Sequence, residues 1–173
     1  MSRAILILTA ALLLTGVLGR PATAGERIAL LPVPVVNGEA LNGRLTRAAL
    51  RTELARRGFQ LVPAREMRQA LKELGIKLRK PLFEANLRRV RDRLSVARVF
   101  YARVLSVGQN PDERDRTRYT AVALINVLSA GKPTLSYTRQ SSVTFQVKAR
   151  KDGVVMSAAD TARLAAKLLS GIP

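Results

Sequence analysis

The sequence predicts an α+β fold: a single two-layer domain whose mixed sheet contains an antiparallel meander, with helices packed on one face. Three observations predict it. Two short apolar runs, Ile28-Ala29-Leu30-Leu31-Pro32-Val33 and Phe59-Gln60-Leu61-Val62-Pro63, are bounded by prolines, as short buried strands are. Around them, apolar residues recur every three or four positions, the period of a helix with one buried stripe. From Ala97 the period changes to two and holds until the last helix, which marks consecutive strands.

The first strand runs through Ile28 to a loop over residues 34–38, where Asn37-Gly38 signals a turn. A helix follows with Leu41, Leu45, Ala48 or Ala49, Thr52 and Ala55 as its inward stripe, widened by Leu50 and Leu54. Gly58 ends it after Arg56-Arg57, a basic pair that suits the negative end of the helix dipole. After the strand at Phe59 comes a helix over residues 64–74, with Met67, Ala70, Leu71 and Leu74 inward and Gly75 closing it. A third helix over residues 82–94 buries Phe83, Leu87, Val90 and Leu94. Residues 99–105 are apolar on nearly both sides, so they form a central strand. A polar loop, residues 108–116, is expected to be mobile and joins it to a strand over residues 119–128 as a hairpin. Two further strands are expected over residues 134–139 and 141–149; in the second, Val143, Phe145 and Val147 alternate with polar residues. Ser157, with Asp160 three residues later, has the capping-box spacing that opens a last helix.

Composition then bounds the function. Arg3, an apolar run over residues 4–18, the helix breakers Gly16, Gly19 and Pro21, and Ala22-Thr23-Ala24 follow the order of a secretory signal peptide. The run is short for a membrane span, which needs roughly 20 residues. Cleavage after Ala24 is expected, with a retained anchor as the alternative; 173 residues less 24 leave a domain of 149, residues 25–173. The chain has no Cys, so no lipid-bearing Cys follows the signal, and the expected location is periplasmic and non-lipidated. It has no His either, which removes Cys and His nucleophile systems, imidazole bases and the usual zinc ligand sets.

The net charge is +18, and losing Arg3 and Arg20 with the signal leaves about +16 on the mature chain. In an exported protein the expected partners are envelope proteins or anionic envelope polymers, with peripheral membrane contact, rather than nucleic acid. A solubilising surface is the plainer reading of the same charge.

Several of these segments together resemble a superfamily of bacterial envelope domains. It includes the TolB amino-terminal domain, the curli secretion protein CsgG and the lipoprotein activators of peptidoglycan synthases. The resemblance is carried by the strand Ile28-Ala29-Leu30-Leu31-Pro32-Val33, by the passage Gly58-Phe59-Gln60-Leu61-Val62, by the stretch from Leu94 to Val104, and by the turn Val127-Leu128-Ser129-Ala130-Gly131-Lys132. Ala102 stands where the superfamily usually has Gly, and Ser129 near its usual acidic turn residue. The resemblance implies a TolB-amino-terminal-like domain that binds other proteins, by sheet edge or helix face, as an accessory to a larger assembly. The curli pore's insertions are absent, so a channel is not implied.

Among candidate sites, Arg residues come first. Arg44, Arg47 and Arg51 share a face of the first helix, and Arg88, Arg89, Arg91 and Arg93 crowd the third. Convergent guanidiniums would pair carboxylate or phosphate bidentately, although charge runs on helices are usually solvated faces. The last two strands offer an edge for strand addition, unless Arg139, Lys148 and Arg150 guard it. No catalytic residue, metal site or cofactor is expected: Asp112, Glu113 and Asp115 lack calcium-loop spacing and sit among arginines, and Ser141-Ser142 has no base nearby in sequence. A hydrolase of unknown type is the last alternative.

Overall fold

A computed structural model describes residues 25–78, 81–109, 117–147 and 153–172. The signal segment, most of the charged loop with Asp112, Glu113 and Asp115, and Lys148 and Arg150 lie outside the described residues. The chain runs β1 (Arg27–Leu30), β2 (Val35–Asn37), α1 (Ala40–Arg56), β3 (Gln60–Leu61), α2 (Ala64–Glu73), α3 (Glu84–Leu94), β4 (Arg98–Gly108), β5 (Arg118–Ser129), β6 (Tyr137–Gln146) and α4 (Ala158–Leu169). The strands form one mixed sheet in the order β3-β1-β4-β5-β6, the α+β class expected. β1 pairs parallel with β3 and β4, whereas β4, β5 and β6 form the antiparallel meander.

Two details of the strands differ from expectation. Val35–Asn37, read as loop, pairs parallel with β4 one step beyond β1, Val35 opposite Val104, so β1 and β2 occupy the same flank of β4 in succession. The two late strands are one: β6 runs unbroken through Gln140, which is polar because it faces outward, not because the strand ends there.

The helices do not share one face. Phe100, Ala102 and Val104 of β4 pack with Leu50 and Leu54 of α1 and with Leu164 and Leu168 of α4. Val99 and Tyr101, alternating with them, pack with Met67 and Leu71 of α2 and Leu87 and Val90 of α3 on the other side. The chain's handedness is the reason. It steps from β1 outward to β3 through α1, then back past β1 to β4 through α2 and α3; right-handed crossovers in opposite directions put their helices on opposite faces.

The inward stripe of α1 is also rotated from the one expected. Asn42, Gly43, Thr46, Leu50 and Leu54 are buried, while Leu41 is exposed. Gly43 is required by close approach, since a Cβ there would sit 2.2 Å from the Val33 carbonyl oxygen. Asn42 is fully buried and satisfied: its Nδ2 donates to the Val154 carbonyl at 2.8 Å, and its Oδ1 accepts from the Met156 amide at 2.8 Å. This amide ties the strap before α4 to α1. Phe83, expected inward, is 78% exposed just ahead of α3. The capping box forms as expected, the Ser157 hydroxyl accepting from the Asp160 amide at 3.1 Å.

A second tie joins the far ends of the two helices. Arg57 donates to the Leu169 carbonyl at 2.8 Å, capping α4, and is held by Glu53 at 3.0 Å. Bonds from Arg56 and then Arg57 hold the Glu53 carboxyl down to about 2.

Asn42→Ala should lower unfolding free energy by about 2–3 kcal/mol in urea titration, because it strands two buried backbone groups as well as removing two bonds. A loss below about 0.5 kcal/mol would place the tether elsewhere. For Glu53, the folded pKa lies below the unfolded one, so its stabilisation is complete above the ordinary carboxylate range and is lost as pH falls toward about 2. Glu53→Gln should accordingly melt lower at neutral pH and show a shallower decline in acid than the parent.

Candidate functional site

The arginines of α3 are structural stitches. Arg88 donates to the Pro133 carbonyl at 3.1 Å and Arg91 to the Ser129 carbonyl at 3.2 Å, fastening the helix to the β5–β6 turn. Arg89 donates to the Leu74 carbonyl at 3.1 Å, satisfying an end group of α2. Arg93 pairs with Glu73 of α2, its Nε 2.7 Å from the carboxylate, and Arg91 also holds Asp92 at 2.8 Å. Their donors are directed at this chain's own carbonyls and carboxylates.

The α1 arginines are arranged differently. Arg44 is exposed near the start of the helix. One turn on, Arg47 is half-buried; its Nη2 makes a long 3.4 Å bond to the Leu30 carbonyl at the end of β1, and its Nε is buried without a partner. Burial pushes its pKa below the ordinary guanidinium value, and the charges of Arg51 and of Arg68 push the same way. Arg68 stands on α2, so charges on two elements, Arg51 on α1 and Arg68 on α2, both act on Arg47. Sequence reasoning missed Arg68 because its neighbours are on another element.

Compensating charge is spent elsewhere. Glu26 pairs with Arg98, Glu53 with Arg56 and Arg57, Glu66 with Arg27, and Asp160 with Arg163. The Arg47, Arg51 and Arg68 cluster is chemically suited to an oxyanion, whose charge would offset the repulsion and whose lone pairs would meet the forked donors. It lies on α1 and α2, apart from the α3 stitches, so the seven predicted arginines do not converge on one site.

The other exposed feature is the outer end of the sheet. Helices α2 and α3 cover β1, the start of β4 and Leu128, and among the described residues nothing covers the rest of that face. Half-buried Val122 and Leu124 lie there among Asn126, Gln140, Ser142 and Thr144. Beyond them β6 is an edge strand. The Val147 amide donates to the Thr117 carbonyl at 3.0 Å, which fixes the alternation: odd-numbered residues of β6 bond to β5, and the backbone groups of Thr138, Gln140, Ser142, Thr144 and Gln146 point outward. Among the described residues one of these is engaged, the Ser142 carbonyl, by Lys167 at 3.0 Å. Arg139, expected as an edge guard, turns instead to the Ser170 carbonyl and the Tyr137 hydroxyl.

Among the described residues no group of three or more Asp and Glu residues is placed to hold a metal ion, and no helix is long and apolar enough to cross a membrane.

No protein-family model matches the chain, and no curated protein does. Solved structures share its fold. The LpoB C-terminal domain from Salmonella enterica is similar with a TM-score of 0.54 at 17% identity, over 72% of this chain and 86% of that one. Lipoprotein GNA1162 from Neisseria meningitidis gives 0.54 at 14% identity, over 73% and 88%. The PelC dodecamer from Paraburkholderia phytofirmans gives 0.52 at 11%, over 87% and 89%. At such identities the likeness is one of fold, and function rests on the sites.

Arg68→Gln should raise the melting temperature at low ionic strength, by the equivalent of about 0.3–1 kcal/mol, because it removes a like charge from an uncompensated cluster. The gain should shrink in about 0.5 M salt, where the charges are screened. A variant that melts lower than the parent at low salt would mean that Arg68 holds a stabilising contact instead.

Proposed function

We propose that this chain is a non-catalytic binding and assembly accessory of the bacterial cell envelope, exported by a cleaved signal peptide and released, non-lipidated, into the periplasm. It takes its partner, an envelope protein, by strand addition on β6. The observation that carries this reading is the outward row of backbone donors and acceptors from Thr138 to Gln146, on a ten-residue strand whose side chains on the bare face are uncharged. The signal-like amino terminus, the absence of Cys and the fold shared with LpoB and GNA1162 support the envelope setting. The TolB and CsgG resemblance belongs to the same reading.

A second reading is favoured by the Arg47, Arg51 and Arg68 cluster: attachment to lipid head groups, lipopolysaccharide or a cell-wall polymer through their phosphates or carboxylates. The two differ in salt dependence. Strand addition is made of backbone hydrogen bonds and tolerates salt, whereas multiple charge contacts to a polyanion weaken steeply with it.

The test is a photo-crosslinking residue at Thr144 in the exported protein in its native cells, combined with Gln140→Pro. The Gln140 amide points outward, so proline there removes a docking donor and leaves the β5 ladder intact, while Ser141→Pro removes a ladder bond and should cost about 3 kcal/mol or more. The expected result is one defined adduct with an envelope protein, insensitive to salt, lost in Gln140→Pro although that variant still melts within a few degrees of the parent. An adduct that survives Gln140→Pro would sink strand addition, and retention on envelope material that collapses with salt would favour the anionic reading.

A further inference from the structure

β1 stays bonded to β4 through the Leu31 amide on the Phe100 carbonyl, and the Val104 amide bonds to the Pro34 carbonyl ahead of β2, so the flank of β4 is open only over the short passage opposite Ala102. On the α2–α3 side this passage deepens into a cleft of about 270 Å³. Pro34 and Val36 form one wall and Leu78 and Pro81 the other, with Tyr101 and Arg103 of β4 at its floor. The cleft is small and mostly apolar, but its floor holds two donors that the fold leaves unmet. Tyr101 is 1% exposed, and among the described residues its hydroxyl proton meets no acceptor, although the Leu82 amide lies near its oxygen. Arg103 Nε is likewise buried and unpartnered among the described residues, and its guanidinium lies 6.0 Å from the Tyr101 ring centroid.

Burial raises the phenol's pKa, and this outweighs the opposing pull of the nearby Leu82 amide and the Arg103 charge. The hydroxyl therefore keeps its proton and can donate it. A buried donor without an acceptor is unfavourable, and Arg103, half-buried with its Nε out of reach of solvent, adds a second one. No carboxylate of the described chain pairs with Arg103, and the walls offer prolines and aliphatic side chains.

We propose that this cleft binds a monocarboxylate carrying a short aliphatic group. One carboxylate oxygen accepts from the Tyr101 hydroxyl and the other from Arg103, while the aliphatic group lies against Pro34, Val36, Leu78 and Pro81. The volume suits a group the size of one aliphatic residue. Two sources supply this chemistry: a free branched-chain acid, and the terminal carboxylate of a polypeptide that ends in an aliphatic residue. The site lies on the opposite flank of the sheet from β6, so it stands or falls independently of strand addition.

The experiment is a titration of the isotope-labelled protein, followed by amide chemical shifts, with three probes: 4-methylpentanoate, N-acetyl-leucine and the uncharged N-acetyl-leucinamide. The expected result is saturable shifts at Tyr101, Arg103 and Val36 with dissociation constants on the order of 1 mM, the value a ligand of this size can reach. The amide should bind at least about tenfold more weakly than the acid. Tyr101→Phe and Arg103→Gln should each weaken the acid by about tenfold, the ratio that one charge-assisted or buried hydrogen bond supports. Tyr101→Phe should melt no lower than the parent, since it removes only a hydroxyl whose proton meets no acceptor, so its weaker binding would not be a folding defect. Tighter binding of N-acetyl-leucine than of 4-methylpentanoate would assign a polypeptide terminus, and the reverse a free acid. Equal affinity for acid and amide, unchanged binding by Tyr101→Phe, or no saturable shift with any probe would each overturn the proposal.

Discussion

The handedness of two parallel crossovers organises this molecule. β1 and β3 are linked through α1, and β3 and β4 through α2 and α3; because the second link reverses direction across the sheet, the helices cannot lie on one side. β4 is consequently covered on both faces along its first half, which is why its sequence is apolar at both parities from Val99 to Ala102. The meander then extends beyond the reach of α2 and α3. On the α1 side a fourth helix, tied by Asn42 and Arg57, completes the cover. On the other side nothing among the described residues does, and a polar face with an open edge results.

The same division sorts the charges. A basic chain with few carboxylates cannot neutralise every guanidinium by ion pairs, and this one uses many of them on backbone carbonyls. Arg57 caps α4, Arg89 caps α2, and Arg88 and Arg91 hold the turn after β5. Such bonds satisfy end groups that a helix or turn leaves unmet, so the abundance of Arg is in part architectural. What is left over is informative because it is unevenly placed: Arg47, without a carboxylate partner among the described residues, also feels the charges of Arg51 and Arg68.

Much of this was legible in the sequence where one residue type carried one physical demand. Gly58 at the end of α1, the Ser157 and Asp160 box and the two-sided apolar run of β4 each stated their role. The inward face of α1 was not legible, because burial there depends on small or satisfied polar residues, Asn42, Gly43 and Thr46, whose partners lie elsewhere in the chain. β2 escaped for a similar reason: a three-residue strand has too few positions to show a period. The arginine faces were visible as patterns on single helices, but helical spacing does not distinguish a stitch such as Arg91 from a cluster member such as Arg47. That distinction needs the second helix, and with it Arg68.

The polar atoms that the fold leaves unpaired point back to one place. Among the described residues, the buried side-chain atoms without a hydrogen bond are Thr46 Oγ1, Arg47 Nε, Tyr101 Oη and Arg103 Nε. All four belong to α1 and β4, the elements that flank the passage where β1 gives way to β2. Elsewhere a backbone or side-chain group supplies a partner; here these side-chain atoms meet none among the described residues. Three of the four groups are obligate donors or, in the phenol, a retained proton, so what is lacking on both sides of the sheet is an acceptor. Sequences that break the rule of satisfied burial tend to do so where something else completes the site. An oxygen-rich anion over Arg47 and a carboxylate over Tyr101 would resolve the two sides by the same chemistry.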